Sequence, residues 1–133
     1  MKHSKIMLLK LSFMIGTIAD AVVAISWFLI AFGVAIPNML AGYSGSGENY
    51  QFAMYIAALF MAGWTAILFW GYFKPEERKD LLIITAALLL LSIIMELIFF
   101  SEILGGSGFT YGIIVRLLLI TKFSFSYFYS LNK

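Results

Sequence analysis

Residues 81–100 read LLIITAALLLLSIIMELIFF, an apolar run in which Glu96 is the one charged residue. About twenty such residues in an α-helix cross a hydrocarbon core of roughly 30 Å. A soluble domain carries charge at about a quarter of its positions, whereas this chain of 133 residues is 12% charged and 62% hydrophobic. The run therefore predicts a transmembrane helix and places the chain among integral membrane proteins.

Three further apolar blocks accompany this run, and segments rich in polar residues, glycine or proline separate the blocks. The predicted spans are residues 8–36, 52–73, 81–100 and 111–129. Short connections between successive helices favour antiparallel neighbours. We therefore predict an all-α polytopic membrane protein, with residues 1–133 forming one transmembrane domain, an up-down-up-down antiparallel four-helix bundle.

Basic residues mark one end of the predicted bundle. They lie before or at the start of the first span and between the second and third spans, whereas the other two connections contain no lysine or arginine. The residues concerned are Lys2, Lys5, Lys10, Lys74, Arg78 and Lys79. The positive-inside rule then predicts a multi-pass protein of the cell membrane with both termini and the 74–80 loop in the cytoplasm. The length of the first apolar block favours a retained first span over a cleaved signal peptide.

Ionisable residues within the spans are the strongest functional signals. They are Asp20, Glu96, Arg116 and Lys122. A charge at that depth costs at least about 2.5–3.5 kcal/mol on insertion scales, so each should face the bundle interior, a wet cavity or a partner. Glu96 and Arg116 stand equally far from the predicted turn at Gly106, which places them at one level of adjacent helices. We therefore predict a structural ion pair between them.

Asp20 and Lys122 stand at similar depths from the basic end, and two interpretations stay open. They could form a second ion pair, or Lys122 could extend along its aliphatic stem to the cytoplasmic interface. In the second case Asp20 could bind a proton or a cationic ligand. Trp64 lies in the middle of the second span, where its indole N–H needs an acceptor, and Asp20 is one candidate. Asp20, Lys122 and Trp64 are thus the candidates for a proton or ligand site.

The chain lacks the groups of common catalytic and redox chemistry. It has no cysteine and a single histidine, which is His3 in the N-terminal tail. No residue set indicates a catalytic site, a metal or a cofactor, and no basic stripe indicates nucleic-acid binding. An enzyme that uses Asp20 and Glu96 as acid and base is disfavoured because their depths differ. We therefore predict no enzyme activity, no cofactor and no nucleic-acid partner.

Two segments of the chain resemble those of small, uncharacterised prokaryotic four-span integral membrane proteins. The first is residues 15–21, IGTIADA, and the second is residues 63–85, which includes KPEERK at 74–79. The resemblance implies four membrane helices and no particular activity.

Two functions from different classes fit these residues. The first is a non-enzymatic bundle that binds lipid or a small hydrophobic ligand, or supports a membrane complex. The second is a small dimeric proton-coupled transporter with Asp20 as its intramembrane acid. Small multidrug transporters also have four helices and an acid in the first, which is an analogy of architecture alone. The candidate partners are membrane lipid, a small hydrophobic or cationic ligand, and a second copy of the chain.

Overall fold

The described part of the chain consists of four long helices and their connections. A computed structural model describes residues 2–132, with the backbone alone for Lys2. Within that range there is no strand, and the helices are α1 (Lys2–Ala31), α2 (Glu48–Phe73), α3 (Asp80–Phe99) and α4 (Gly106–Leu131). Each helix is long and apolar enough to cross a membrane. The predicted all-α fold with four candidate membrane spans is confirmed.

The first helix ends earlier than the predicted span 8–36, at Ala31. Gly33 has a φ of +89°, a conformation that glycine adopts without steric cost. The N–H groups of Gly33 and Val34 donate back to carbonyls of the last turn at 3.0 and 2.9 Å. These two bonds form a Schellman motif, which ends a helix. The apolar residues after Gly33 therefore belong to the connection to α2.

The other three helices also differ from the predicted spans at their ends. α2 begins at Glu48 rather than residue 52, and α3 is shifted by one residue from 81–100. α4 covers Gly106–Leu131 rather than 111–129. Apolar patterning reports only the part of a helix that crosses hydrocarbon, whereas helical hydrogen bonding continues through polar flanking residues. Gly106, predicted to lie in the turn, is consequently the first residue of α4.

The helices pack as two hairpins that are joined through α1 and α4. α1 packs along α2 and α3 along α4, and α1 also contacts α4, whereas α2 and α3 approach each other only sparsely. Lys5 near the start of α1 donates to a backbone carbonyl just after α4. We term this end of the bundle, together with residues 74–79, the basic end. The other end carries the connections 32–47 and 100–105 and is termed the opposite end.

A closed apolar core fills the half of the bundle near the basic end. All four helices contribute fully buried side chains to it. These are Leu9, Phe13, Leu68, Leu82 and Phe123. Gly71 lets α2 approach α1 closely, since a Cβ at this position would lie 2.2 Å from the ring of Phe13. The buried hydroxyls of Ser12 and Ser126, 2.6 Å apart, link α1 to α4 within the same half.

Candidate functional site

A cavity of about 500 Å³ lies between α2 and α3, in the half of the bundle toward the opposite end. Phe60 and Met61 of α2 and Leu88 and Leu89 of α3 form its apolar walls. The connection after α1 covers it at the opposite end. Sites for small molecules have volumes of roughly 300–1,000 Å³ and mostly apolar walls with a few polar groups. The cavity has the size and composition of such a site.

Trp64 closes the cavity toward the basic end. Its indole N–H donates to Oγ1 of Thr85 on α3 at 3.1 Å, and the Thr85 hydroxyl donates in turn to the carbonyl of Leu81 at 2.6 Å. Asp20, the acceptor that the sequence suggested, is not the partner because α3 presents a hydroxyl at the level of Trp64. Trp64 therefore lines the cavity and joins α2 to α3.

The cavity opens sideways between α2 and α3. Phe60 and Leu88 line it, yet 76% of Phe60 and 49% of Leu88 is exposed. Side chains that both line a cavity and are largely exposed lie at its rim. Because α2 and α3 pack sparsely, the opening lies along the side of the bundle.

Glu96 and Arg116 come together at the end of the cavity near the opposite end. The Nη1 and Nη2 groups of Arg116 donate to Oε1 and Oε2 of Glu96 at 2.9 and 2.6 Å. Two parallel bonds of this kind make a bidentate pair, which is stronger and more directional than a single contact. Only 1% of Arg116 is exposed, so its charge depends on this carboxylate for neutralisation.

The remaining hydrogen bonds of Arg116 stay within the protein. Nη1 also donates to the Ser92 hydroxyl at 3.1 Å, Nε to the Gly112 carbonyl at 3.2 Å, and Nη2 to the Leu40 carbonyl at 3.2 Å. Leu40 belongs to the connection 32–47, so the arginine holds this segment over the cavity. The sequence did not indicate Leu40, because it takes part through its main-chain oxygen and side-chain patterns carry no sign of that.

Asp20 of α1 lines the same cavity and is half-buried. Among residues 2–132, no hydrogen bond or ion pair reaches its carboxylate. The pair with Lys122 that the sequence left open is thus absent from the described part of the chain. Phe123 explains why the pair does not form. Its ring fills the contact between α4 and α1 at Gly16, near Asp20 in the chain, and lies 2.9 Å from where a Cβ of Gly16 would be. Lys122 is the neighbour of Phe123 in the chain and does not line the cavity.

Trp27 also lines the cavity. Its indole N–H is buried and has no partner within the described residues. Trp27 follows Asp20 by about two helical turns, which places both on one face of α1. No sequence pattern indicated Trp27, since a tryptophan within a span is typical of packing. α1 therefore contributes to the cavity wall one carboxylate without a partner among the described residues and one tryptophan ring.

Within residues 2–132, no group of three or more His, Cys, Asp or Glu side chains is placed to hold a metal ion. Comparison with protein-family models, curated proteins and solved structures gives no match. The resemblance to small four-span proteins therefore stays a prediction. Fold and cavity define the class of the molecule: a multi-pass helical membrane protein whose helices enclose a laterally open, mostly apolar cavity.

Proposed function

We propose that the protein binds a lipid or another small hydrophobic molecule, without catalysis, in the cavity between α2 and α3. The lateral opening carries this proposal. Phe60 and Leu88 stand exposed at the rim, on a surface that would meet acyl chains in a bilayer. A hydrophobic ligand would thus reach the cavity directly from the membrane.

The bundle crosses the cell membrane with its basic end in the cytoplasm in this proposal. The lysines and arginine of the short flanking segments support that orientation by the positive-inside rule. The closed core then lies in the cytoplasmic half, and the cavity lies level with the other leaflet. A ligand would enter from that leaflet.

The ion pair of Glu96 and Arg116 has a structural role in this account. Its donors and acceptors are used between α3, α4 and the connection at Leu40. Such a pair fixes the position of neighbouring segments, because breaking it would leave a buried charge without a partner. The pair shapes one end of the cavity and leaves Asp20 as the ionisable group available to a ligand.

Tryptophan quenching by a neutral brominated amphiphile, 6,7-dibromododecanol, tests binding. Trp27 is the sole reporter in the variant Trp64→Phe, Trp70→Phe, and the matched control Trp27→Phe, Trp64→Phe keeps only Trp70, which is exposed on α2. In mild detergent, quenching of Trp27 is expected to saturate, and unlabelled dodecanol should reverse it. Quenching of Trp70 should follow the probe's share of the micelle without saturation. If Trp27 behaves like Trp70, the proposed function is overturned.

The Asp20 carboxylate favours a second candidate function, proton-coupled transport by a dimer. Intramembrane acids without a fixed partner serve proton relays and cation sites in transporters. Transport predicts substrate flux into vesicles that depends on an imposed pH gradient and disappears in Asp20→Asn. Saturable binding in detergent together with no flux would favour the binding protein.

A further inference from the structure

We propose that the ligand of this cavity is a single-chain amphiphile with a cationic head, such as a long-chain amine, whose head pairs with Asp20 and whose chain leaves between α2 and α3. This inference rests on the proposed function and names the chemical class of its ligand. The charges of the cavity, its hydrogen bonds and its lateral opening support this assignment.

The cavity contains one charge that no described side chain neutralises. Asp20, Glu96 and Arg116 are the ionisable residues among the described ones that line it. Glu96 and Arg116 neutralise each other through two bonds of 2.9 and 2.6 Å. One carboxylate charge remains, and a charge in a weakly polar space is stabilised most by an opposite charge in contact with it. A ligand with a single positive charge complements the site.

The positive charge of Arg116 does not make the cavity a site for anions. Its guanidinium already donates to Glu96, Ser92, Gly112 and Leu40. A ligand carboxylate or phosphate would have to break these bonds and would meet the charge of Asp20. An anionic amphiphile should therefore bind more weakly than a neutral amphiphile of the same length.

The position of Asp20 allows a head group bound there to leave its chain in contact with the lipid. Asp20 also lines a smaller cavity of about 220 Å³, which continues between α1 and α4 and includes Leu119 and Tyr111. The carboxylate thus stands where the two spaces meet, at the back of the opening between Phe60 and Leu88. A head group held there leaves the rest of the molecule a path along apolar walls to the lipid.

Three twelve-carbon probes that differ only in the head test the inference with Trp27 as the sole tryptophan. They are 6,7-dibromododecylamine, 6,7-dibromododecanol and 6,7-dibromododecanoic acid, used at neutral pH, where the amine is protonated and the acid ionised, and their bromines lie in the part of the chain inside the cavity. The amine is expected to bind at least about tenfold more tightly than the alcohol, because charge-assisted bonds are the stronger ones. The acid is expected to bind more weakly than both.

The variant Asp20→Asn, made in the same background, assigns the preference to its residue. Its preference for the amine over the alcohol should disappear, and saturable quenching by the alcohol shows that the cavity is intact. Asp20→Glu keeps the carboxylate and should keep the preference. The ranking of the three probes in the parent requires no change at Asp20 and stands by itself if a variant fails to fold.

The outcomes separate this inference from the proposed function. Equal saturable binding of amine and alcohol, or an amine preference that survives Asp20→Asn, overturns the inference and leaves the proposed function in place. Absence of saturable binding by any of the three probes overturns both.

Discussion

Arg116 connects more segments than any other described side chain of the site. Through one guanidinium it holds Glu96 and Ser92 of α3, its own helix at Gly112, and the connection 32–47 at Leu40. In an apolar environment these bonds are strong, and a donor or charge left without its partner is correspondingly costly. The stability of the half of the bundle that carries the cavity should therefore depend on this residue and its carboxylate.

Glu96→Gln is expected to lower the free energy of unfolding by about 3–5 kcal/mol, because it leaves the buried charge of Arg116 without neutralisation. Thermal or denaturant unfolding in a mild detergent measures the loss. Lys74 and Glu77 form a matched control pair at 3.1 Å, with 57% and 66% of their side chains exposed. Glu77→Gln should change stability by at most about 1 kcal/mol.

Exchange of the two charges gives a stricter test of the same pair. Glu96→Arg combined with Arg116→Glu should recover part of the loss that each single variant causes. Recovery will be incomplete, since the bonds to Leu40 and Gly112 depend on the arginine standing on α4. A double variant whose loss is simply the sum of the two single losses would sink the assignment of an energetically coupled pair.

The sequence predicted some of these side-chain relations and not others, for a physical reason. Glu96 and Arg116 could be found because both are charged and stand at equal distances from one short turn. The partner of Trp64 could not, because Thr85 is on the far side of residues 74–79, whose turns set the register of α2 against α3. The N–H of Trp27 lacks a partner among the described residues because of how the helices pack. The spacing of residues along one helix does not predict that packing.

The position of the connection 32–47 depends on a glycine of α4, Gly112. A Cβ at Gly112 would lie 1.9 Å from the carbonyl oxygen of Leu40, the oxygen that accepts from Arg116. Gly112→Ala should displace this connection and lower stability by about 1–3 kcal/mol. Thermal unfolding measures the loss, and hydrogen exchange of residues 32–47 should become faster.

Gly63→Ala is the matched control, because a Cβ there would meet nothing within 4 Å. Its stability should stay unchanged or rise by up to about 1 kcal/mol, because alanine favours a helix over glycine, and exchange in the connection should be unchanged. Equal effects of the two substitutions would contradict the proposed dependence of the connection on Gly112.

Apolar patterning predicted that four helices exist but placed their ends wrongly. The first predicted span ends at residue 36, whereas the Schellman motif at Gly33 ends the helix first. Hydropathy does not register that stop because residues 34–36 are still apolar. Local hydrogen-bond geometry, rather than composition, therefore fixes where the element stops.

The whole molecule divides into a packed half and a half that contains the cavity, and its orientation decides which leaflet the opening faces. The chain contains no cysteine, so an introduced cysteine is its only thiol. Ser107→Cys lies at the opposite end and Glu76→Cys at the basic end, both at exposed positions. In intact cells, a membrane-impermeant maleimide should label Cys at 107 and spare Cys at 76 until the membrane is opened.

The reverse labelling pattern would invert the proposed orientation and place the cavity level with the cytoplasmic leaflet. Labelling of both positions in intact cells would indicate two orientations and would contradict the positive-inside assignment. Either result would leave the helices and the cavity unchanged, because the packing of the bundle does not depend on which end faces the cytoplasm.

The proposal that Asp20 serves a ligand implies that this residue does not stabilise the fold. Thermal unfolding of the ligand-free protein in mild detergent, with Asp20→Asn compared to the parent, tests it most directly. Since no group among residues 2–132 pairs with the carboxylate, the amide should leave Tm unchanged or raise it, as expected for a residue kept for function at a cost in stability. A fall in Tm as large as that of Glu96→Gln would identify Asp20 as a paired structural charge and contradict the account.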